Sequence, residues 1–492
     1  MRLSTKHAFR NLAIAACAAA TATGLAVGSA SAVTPSTTGA AITGANARAS
    51  ADAVNTDSVD ALNTLVAHGG PGVFHVSHIA GDDPPTSDQC EQQYQVACYD
   101  PAQLQQAYNL NPLYSSNLNG RGRTIAVVDV FGSPTLRSDL AQFDGTFGLQ
   151  APPSLKIIAP AGRIPGYNKN NADMVGWAGE TTLDVEWAHA IAPDAKILLV
   201  EVPESRNGNF ISQAISAENY VVKHHLADVI SQSFGGAEQA AGPISSLRYA
   251  YENAQKARIT VLAATGDTGA ANTGPDGMTY YTYPTAGWPA TDPLVTAVGG
   301  TDLHLDISGN RSSADTAWND TYSKAVNKIV FGDNGPNPLA TGGGKSARFS
   351  RPSYQNGVKN YTGTKRGIPD ISMSGSCAGS VNEYQSFGGL QAGWYTVCGT
   401  SEATPLFAGI VALAAQKAGH DLGLINSALY KLSAEHAPGI VRVASGNNTV
   451  SFSQHGHHYT VHGYGARNGY SLVAGVGTVN AQYFVPELAK LG

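Results

Sequence analysis

The chain has 492 residues, of which 42% are hydrophobic and 13% are charged. This length and apolar content are sufficient to bury a sizeable core, so the composition predicts a globular protein. The formal net charge is −6, and Lys and Arg form no runs along the chain. The sequence therefore lacks the basic patch of a nucleic-acid-binding protein, and we expect no nucleic-acid partner.

The N-terminus has the features of a secretory signal. MRLSTKHAFR is basic, the stretch after it is apolar with small residues, and an A-x-A cleavage pattern ends at Ala32. We predict a signal peptide over residues 1–32 and a secreted, extracellular protein that has no membrane contact after cleavage. Cys17 lies in the apolar stretch, so lipid attachment is an alternative. No later stretch reaches the roughly 18 consecutive apolar residues of a membrane-spanning helix.

The remaining cysteines are Cys90, Cys98, Cys377 and Cys398. An even number of cysteines in an exported chain favours disulfides over a metal site. Proximity in the sequence predicts the pairs Cys90 with Cys98 and Cys377 with Cys398. Four cysteines allow three pairings, so the other two remain alternatives.

Composition divides the rest of the chain into two parts. Residues 33–97 are predicted to form a short leader or pro-segment, since most of this segment is rich in Ala, Thr, Ser, Asp and Gly with weak periodicity. Residues 98–492 are predicted to form one α/β domain, because apolar runs alternate with helical stretches and imply a mostly parallel sheet covered on both faces. Residues 318–366 are predicted to form loops and short strands. The apolar runs are TIAVVDVFG, KILLVEVP, DVISQSFGG, TVLAATGD and LVTAVGG.

Polar residues follow several of these predicted strands. They are Asp129, Ser231, Ser233 and Asp267. In open parallel sheets, sites form at the carboxyl ends of the strands. These four residues are therefore candidates for a functional site.

The stretch GETTLDVEWAHAIAPDA places two carboxylates on one face of a predicted helix. Glu180 and Asp184 are four residues apart, and Trp187 continues the same face one turn later. One interpretation is a solvated acidic face with Trp187 in the core; the other is a partly buried pair that shares a proton. His189 points to the opposite side of the helix.

A second helical stretch, CGTSEATPLFAGI, has Ser401 close to its start. We predict that Ser401 and Pro405 lie in the first turn, where backbone N–H groups can stabilise an oxyanion. The alternative is a plain helix cap. Asp267, between glycines after a buried strand, reads on its own as a turn residue. Together with Glu180 and Asp184, however, Ser401 and Asp267 make up an acyl-transfer site without histidine.

Six stretches of this chain, in this order, resemble the sedolisin family of serine-carboxyl peptidases. The resemblance covers roughly residues 98–492 and implies an α/β, subtilisin-like fold: a three-layer sandwich with a mostly parallel central sheet. The stretches are GETTLDVEWAHAIAPDAKI, SQSFGGAE, AATGDTGA, GGGKSARFSRPSYQ, RGIPDIS and CGTSEATPLFAGI.

The resemblance also implies roles for single residues. Ser401 would be the nucleophile, Glu180 the general base, Asp184 the group that orients this base, and Asp267 the oxyanion donor. Asp129 matches a position where some relatives have a carboxylate bonded to the base, so it is a possible member of this network. We expect a monomeric endopeptidase or tripeptidyl peptidase that hydrolyses protein or peptide substrates in acid, because a carboxylate base and a protonated carboxyl donor must coexist.

The chain departs from the family in several places. The family has a calcium site built from two aspartates and backbone carbonyls, but the aspartate positions hold Arg442 and Ser471 here. We therefore expect no cofactor, with calcium lost and the Arg442 guanidinium in its place, or else a local misalignment. The family's large pro-domain is represented by the short leader alone. Phe234 stands where many relatives have Trp, which alters a pocket wall or replaces one packed aromatic with another.

Two other functions and one further site are alternatives. The first function is an inactive relative that binds peptides in the substrate groove. The second is a neutral subtilisin-like protease that uses Asp129 and His189. The histidines of SQHGHHYTVHG either bind metal or form an exposed loop. They are His455, His457, His458 and His462.

Overall fold

A computed structural model describes residues 74–79, 83–204, 210–242, 244–274, 277 and 279–492. The predicted signal peptide, Cys17 and much of the predicted leader lie outside these residues.

The helices and strands are numbered in chain order. The strands are β1 (Phe74–Ile79), β2 (Ala97–Tyr99), β3 (Thr124–Val130), β4 (Leu155–Ile158), β5 (Lys196–Val202), β6 (Val229–Gln232), β7 (Gly236–Ala237), β8 (Thr260–Ala264), β9 (Gly287–Trp288), β10 (Thr296–Asp302), β11 (Thr316–Ala317), β12 (Gly344–Ser350), β13 (Lys365–Ile368), β14 (Ile371–Ser374), β15 (Gly379–Gln385), β16 (Gly393–Cys398), β17 (Ile440–Val441), β18 (Val450–Gln454), β19 (His457–Val461) and β20 (Thr478–Val479). The helices are α1 (Ser87–Tyr94), α2 (Pro101–Ala107), α3 (Asn111–Tyr114), α4 (Leu136–Phe147), α5 (Ala172–Ile191), α6 (Ile211–Lys223), α7 (Ile244–Leu247), α8 (Tyr249–Ala257), α9 (Lys324–Val330), α10 (Lys359–Thr362), α11 (Thr400–Ala418), α12 (Asn426–Ala434) and α13 (Ala481–Leu491), with a 3₁₀ helix at Ser353–Val358.

The central sheet has the strand order β11-β10-β8-β6-β3-β5-β4, and β14 also pairs with β10. Every pair in this sheet is parallel except β10 with β11. Strand β3 lies inside the sheet, paired with β5 on one side and β6 on the other. The prediction of a mostly parallel sheet is confirmed.

Alternate residues of β3 face opposite layers of the domain. Ile125 and Val127 belong to the core that contains α5 and α11, whereas Ala126 and Val128 belong to the core that contains α6 and α8. Because successive side chains of a strand point to opposite faces, one sheet separates these two cores. The domain is therefore the predicted three-layer α/β sandwich.

Helix α5 lies deep in this sandwich. Asn171 caps its start by accepting hydrogen bonds from the N–H groups of Asp173 and Met174. All residues from Met174 to Ile191 are buried. Helix α11 packs closely against α5, because a Cβ at Gly409 would lie 2.7 Å from the Cβ of Ile191. Carboxylates on α5 between Met174 and Ile191 are consequently enclosed by protein rather than by water.

A second sheet, ordered β1-β16-β15-β2, extends the domain toward the N-terminus. Its strand β1 and helix α1 fall within the predicted leader (33–97), yet β1 pairs antiparallel with β16. Strand β2, which spans the predicted boundary at residue 98, pairs parallel with β15, so strands from both sides of that boundary lie in one sheet. Both predicted disulfides, Cys90–Cys98 and Cys377–Cys398, are confirmed.

Two further findings concern helices. The segment 318–366 contains α9, which the prediction of loops and short strands missed; Ser323 caps it by accepting the N–H of Val326. Within the described part of the chain, no helix is both long and apolar enough to cross a membrane.

Candidate active site

Ser401 is the second residue of α11 and is 2% exposed. The helix begins after Gly399, whose φ of 135° strongly favours glycine. Pro405 lies in the second turn rather than in the predicted first turn. Since proline has no N–H, it cannot bond the carbonyl of Ser401 as an ordinary helical residue would. The hydroxyl of Ser233 reaches that carbonyl instead, at 3.5 Å.

Asp267 is fixed by the residue that precedes the serine. Both the N–H and the hydroxyl of Thr400 donate to Asp267 Oδ1 at 2.7 Å, and the N–H of Gly266 donates to that hydroxyl at 3.0 Å. No described residue donates to Oδ2. Burial raises the pKa of Asp267 to about 7, although the bonds from Thr400 oppose this shift. Asp267 therefore holds a proton over the acid range, with one oxygen available as a donor.

Glu180 faces Ser401 from α5 and is fully buried. Burial, followed by the charge of Asp129, raises the pKa of Glu180 well above its usual value, whereas the hydroxyl of Ser401 lowers it. Neither carboxyl oxygen of Glu180 forms a hydrogen bond of normal geometry with a described residue. The serine hydroxyl and the carboxyl are thus close neighbours without a hydrogen bond of normal geometry. The interpretation of a solvated acidic face is wrong.

Asp184 is equally buried and is bonded to the strand end beside it. The hydroxyl of Ser233 lies 3.0 Å from Asp184 Oδ1. Burial and then the charges of Asp129 and Glu180 raise the pKa of Asp184, and this bond lowers it. Because Ser233 also reaches the carbonyl of Ser401, one hydroxyl connects Asp184 to the backbone of the serine.

Asp129 lies in the same cluster, at the end of β3. It is fully buried, and burial raises its pKa to about 7 while the hydroxyl of Thr181 lowers it. Its charge is the largest electrostatic influence on both Glu180 and Asp184. The three carboxyls are therefore coupled, and their protonation belongs to the group rather than to single residues.

Two residues from the same helix lie elsewhere. Trp187 is in the core, where its Nε1 donates to the carbonyl of Asn382 at 3.0 Å. His189 contacts Asp144 at 3.2 Å and the carbonyl of Gln150 at 2.9 Å. Because these contacts hold the ring away from the cluster, the alternative that uses His189 as catalytic base is wrong.

Comparison with known proteins identifies the family of the chain. The model of the subtilase family matches residues 161–431, more than half of the chain. The chain belongs to the subtilase family. Kumamolisin from Bacillus sp. (strain MN-32) is 32% identical over 364 residues, which are 72% of this chain and 58% of that protein. Sedolisin from Pseudomonas sp. (strain 101) is 29% identical over 376 residues, with 74% and 58% covered.

A solved structure extends the comparison from the sequence to the fold. Pseudomonas sedolisin, a serine-carboxyl proteinase complexed with two molecules of pseudo-iodotyrostatin, matches with a TM-score of 0.65 at 25% identity, over 80% of this chain and 99% of that chain. The sedolisin resemblance and the subtilisin-like fold are confirmed. The chain spans less than two thirds of the length of the kumamolisin and sedolisin sequences, since each match covers 58% of them.

Two residues of this subtilase site have no role in the sequence-based prediction. Thr400 fixes Asp267, and its place in the GTS motif gives no sign of that role. Glu402 follows the serine and is fully buried; burial, with the charge of Asp267, raises its pKa, and the hydroxyl of Ser374 lowers it. A lone acidic residue in the apolar run of α11 is the signal that could have identified it.

An aromatic row adjoins the carboxyls. Phe234 packs edge-on against Phe210 with ring centroids 5.5 Å apart, and Phe210 packs against Trp177 at 5.3 Å. Trp177 lies on α5 one turn before Glu180. Phe234 is 6% exposed, which fits the interpretation of one packed aromatic in place of another.

The residues at the calcium positions do not fit a calcium ion. The guanidinium of Arg442 contacts Asn468 Oδ1 and His436 Nδ1, and the buried Ser471 hydroxyl accepts a backbone N–H at 3.1 Å. The sequence has no Asp or Glu between residues 436 and 486. Calcium sites in proteins depend on carboxylates, so this donor set is unsuitable.

The histidine-rich segment forms the hairpin of β18 and β19. Its four histidines are exposed, as one of the two interpretations states. Across the described ranges, no group of three or more His, Cys, Asp or Glu side chains is arranged to hold a metal ion.

Proposed function

We propose that this chain is a serine-carboxyl peptidase that hydrolyses peptide bonds of protein or peptide substrates at acidic pH. One observation carries the proposal: Thr400 holds Asp267 beside Ser401, while the buried helix α5 presents Glu180 to the same serine. A nucleophile, a base and an oxyanion donor therefore meet at the start of one helix. The similarity to kumamolisin and sedolisin supports it.

The first half of the reaction forms an acyl-enzyme. The hydroxyl oxygen of Ser401 attacks the scissile carbonyl carbon, and its proton passes to Glu180. Asp184, fixed by Ser233, orients Glu180 and shares the proton of the network. When the tetrahedral intermediate collapses, the C–N bond breaks and the leaving amine takes the proton from Glu180. Water then attacks the ester, gives its proton to Glu180, and Ser401 regains a proton as the acid product leaves.

Asp267 stabilises the oxyanion only while it is protonated. A carboxylic acid kept neutral by its surroundings can donate a hydrogen bond to a developing charge. With a pKa of about 7, Asp267 remains a donor in acid and loses this ability as the pH approaches neutrality. Glu180 must be ionised to act as a base, so activity requires both states at once and falls at both pH extremes.

The wider setting is part of the same proposal. The protein is exported through its signal peptide, and the two disulfides support an oxidising compartment. It acts as a monomer, independently of nucleic acid and membranes. Endopeptidase and tripeptidyl-peptidase activities remain alternatives, since the similar proteins include kumamolisin and a tripeptidyl-peptidase from Aspergillus fumigatus.

The test is a pH profile of the cleavage of a denatured protein from about pH 3 to 8, with wild type beside Ser401→Ala and Glu180→Ala. We expect activity in acid that both substitutions abolish. Glu218→Gln is a matched control, because Glu218 is a buried carboxyl on α6, in the layer on the other side of the central sheet from α11; it should retain activity.

Other outcomes contradict the proposal in different ways. A folded wild type without activity at any pH would favour the inactive peptide-binding alternative. Neutral activity that survives Glu180→Ala would show that the base is misassigned.

We further propose that the fold needs no calcium and that the Arg442 guanidinium joins the loops where the ion would sit. The contacts of Arg442 with Asn468 and His436 support this. Thermal unfolding should be the same with calcium and with a chelator. Arg442→Ala should lower the unfolding free energy by about 1 kcal/mol. A chelator that lowers the melting temperature of the wild type would refute the proposal.

A further inference from the structure

Helix α5 carries a third buried acidic residue, which the proposed mechanism does not use. Glu186 lies two residues after Asp184, next to strand β15 and close enough to Glu383 for the charge of Glu383 to act on it. Both side chains are fully buried. Burial is the largest cause that raises the pKa of each, and the charge of Glu383 is the next cause at Glu186.

In each carboxyl of this pair, one oxygen accepts a hydrogen bond and the other does not. The N–H of Tyr384, next to Glu383 in the strand, donates to Glu186 Oε2 at 3.2 Å. The side chain of Gln385 donates to Glu383 Oε1 at 2.6 Å. Glu186 Oε1 and Glu383 Oε2 are both buried, and neither has a hydrogen-bond partner among the described residues. One carboxyl oxygen on each side therefore lacks a donor.

A single proton shared between these two oxygens would give each of them a hydrogen-bond partner. Two ionised carboxylates in contact repel one another, and buried ones lack the water that would reduce the repulsion. Among the ion pairs of the described residues, none includes Glu186 or Glu383. No cation is thus in place to neutralise the pair, whereas a shared proton would.

The other titratable groups around Glu186 and Glu383 do not neutralise this pair. Asp139 of α4 accepts hydrogen bonds from Thr135 at 2.5 Å and from the N–H of Ser386 at 3.2 Å. Asp144, also of α4, pairs with His189. Tyr395 of β16 lies close enough for the charge of Glu383 to raise the pKa of its phenol. Each group has its own partner or is itself a weak acid.

We propose that Glu186 and Glu383 share one proton where α5 meets β15, and that this proton positions the helix that presents Glu180 and Asp184. Trp187 donates to the carbonyl of Asn382 beside the same contact. Glu383 also raises the pKa of Glu180 and of Asp184. As the pH rises and the shared proton leaves, the two carboxylates repel and the helix loses this attachment.

The first test measures stability and does not depend on activity. Urea unfolding of the full chain is followed between about pH 4 and 8 for wild type, Glu186→Gln, Glu383→Gln and the double variant. Each single substitution replaces a carboxyl by an isosteric amide that needs no shared proton. In the wild type, one shared proton changes the unfolding constant by about tenfold per pH unit. We expect each single variant to lose this contribution. The double variant should add little more.

A second double variant serves as the matched control. Glu218 is a buried carboxyl on α6, on the other side of the central sheet. Combining Glu186→Gln with Glu218→Gln should give additive effects, as residues without contact usually do. If Glu186→Gln and Glu383→Gln are also additive, they do not share a proton and the proposal is wrong. Should one single variant fail to fold, an unchanged slope in the other would be equally decisive.

The second test rests on the proposed function. The double variant of Glu186→Gln and Glu383→Gln removes the single negative charge of the pair and so lowers the pKa of Glu180; it should shift the acid limb of the kcat/KM profile to lower pH. Glu218→Gln should leave that limb in place. An unshifted limb in the double variant would overturn the link to Glu180. Absence of activity in every variant would instead contradict the proposed function, and the stability slopes would still decide whether the proton is shared.

Discussion

Helix α5 contributes residues to two pairs of buried carboxyl groups, and the two pairs differ in their surroundings. We call Glu180 and Asp184 the first pair, and Glu186 with Glu383 the second pair. Burial is the first cause of the raised pKa values in both. The first pair faces hydroxyls, including that of Ser401, whereas the second receives an N–H and an amide. The carboxyl pair alone therefore does not define a catalytic site; the neighbouring nucleophile does.

The two pairs also differ in the role that we propose for their proton. In the first pair, the proposed mechanism requires the proton to move, because Glu180 would take it from Ser401 and return it to the leaving group. In the second pair, the proposed proton stays and holds two elements together. The second use is available only in acid, since a buried carboxyl keeps its proton to a higher pH than a solvated one. The first use also requires Glu180 to be ionised, so it is lost at both pH extremes.

The largest expected effect is a loss of stability as the pH rises. Asp129 and Asp267 have folded-state pKa values of about 7, raised from 3.8. A raised pKa contributes stability that is complete below about pH 4 and is lost as the pH rises through about 7. Each proton accounts for about 1.4 kcal/mol per pH unit in this window. Urea unfolding at several pH values measures the slope.

Substitutions show which carboxyls cause this pH dependence of the unfolding free energy. Asp129→Asn should flatten it through the cluster around the first pair, and Glu383→Gln should do so through the second pair. A wild type whose stability rises from about pH 5 to 7 would contradict the protonated state of both regions.

The next effect concerns Asp267, which has no counterpart beside the second pair. Asp267→Ala should lower kcat by about 10²- to 10³-fold, because the oxyanion loses a donor. Asp267→Asn keeps a donor that does not titrate, so it should retain more activity and extend the profile to higher pH. The control is Asp139→Asn near the second pair, with kcat measured in acid. Equal losses in Asp139→Asn and Asp267→Ala would remove the distinction between the regions.

A smaller effect is expected at Ser233, whose hydroxyl connects Asp184 to the carbonyl of Ser401. Ser233→Ala should reduce kcat/KM by about 10- to 150-fold, since hydrogen bonds to charged groups contribute about 1.5–3 kcal/mol. Ser386→Ala removes a comparable hydroxyl from Asp139 and should leave kcat/KM unchanged. Steady-state kinetics of both variants at one acidic pH tests the contrast.

The smallest effect is expected at Trp187. Trp187→Phe removes the donor to the carbonyl of Asn382 but keeps an aromatic ring in the core. We expect a loss of about 1–3 kcal/mol in unfolding free energy and an unchanged kcat/KM in acid. A large kcat loss at unchanged stability would instead place Trp187 with the catalytic residues.

Local sequence patterns were sufficient for the main layer structure and for nominating the site. The alternation of apolar runs with helical stretches predicts the parallel sheet, because strand and helix periods are properties of neighbouring residues. Strand ends and helix starts identify Asp267, Ser233 and Ser401, since these positions lie at the active edge of such a sheet. The four-residue spacing places Glu180 and Asp184 on one face of α5.

Only the tertiary structure decided the partners of these residues. Tyr384, which bonds Glu186, is 198 positions away along the chain, and Thr400, which fixes Asp267, is 133 positions away. The same applies to β1, whose partner β16 lies far along the sequence. Periodicity determines which way a side chain faces on its own element. What it meets there depends on the packing of distant elements, and that contact sets whether a carboxyl moves a proton or keeps it.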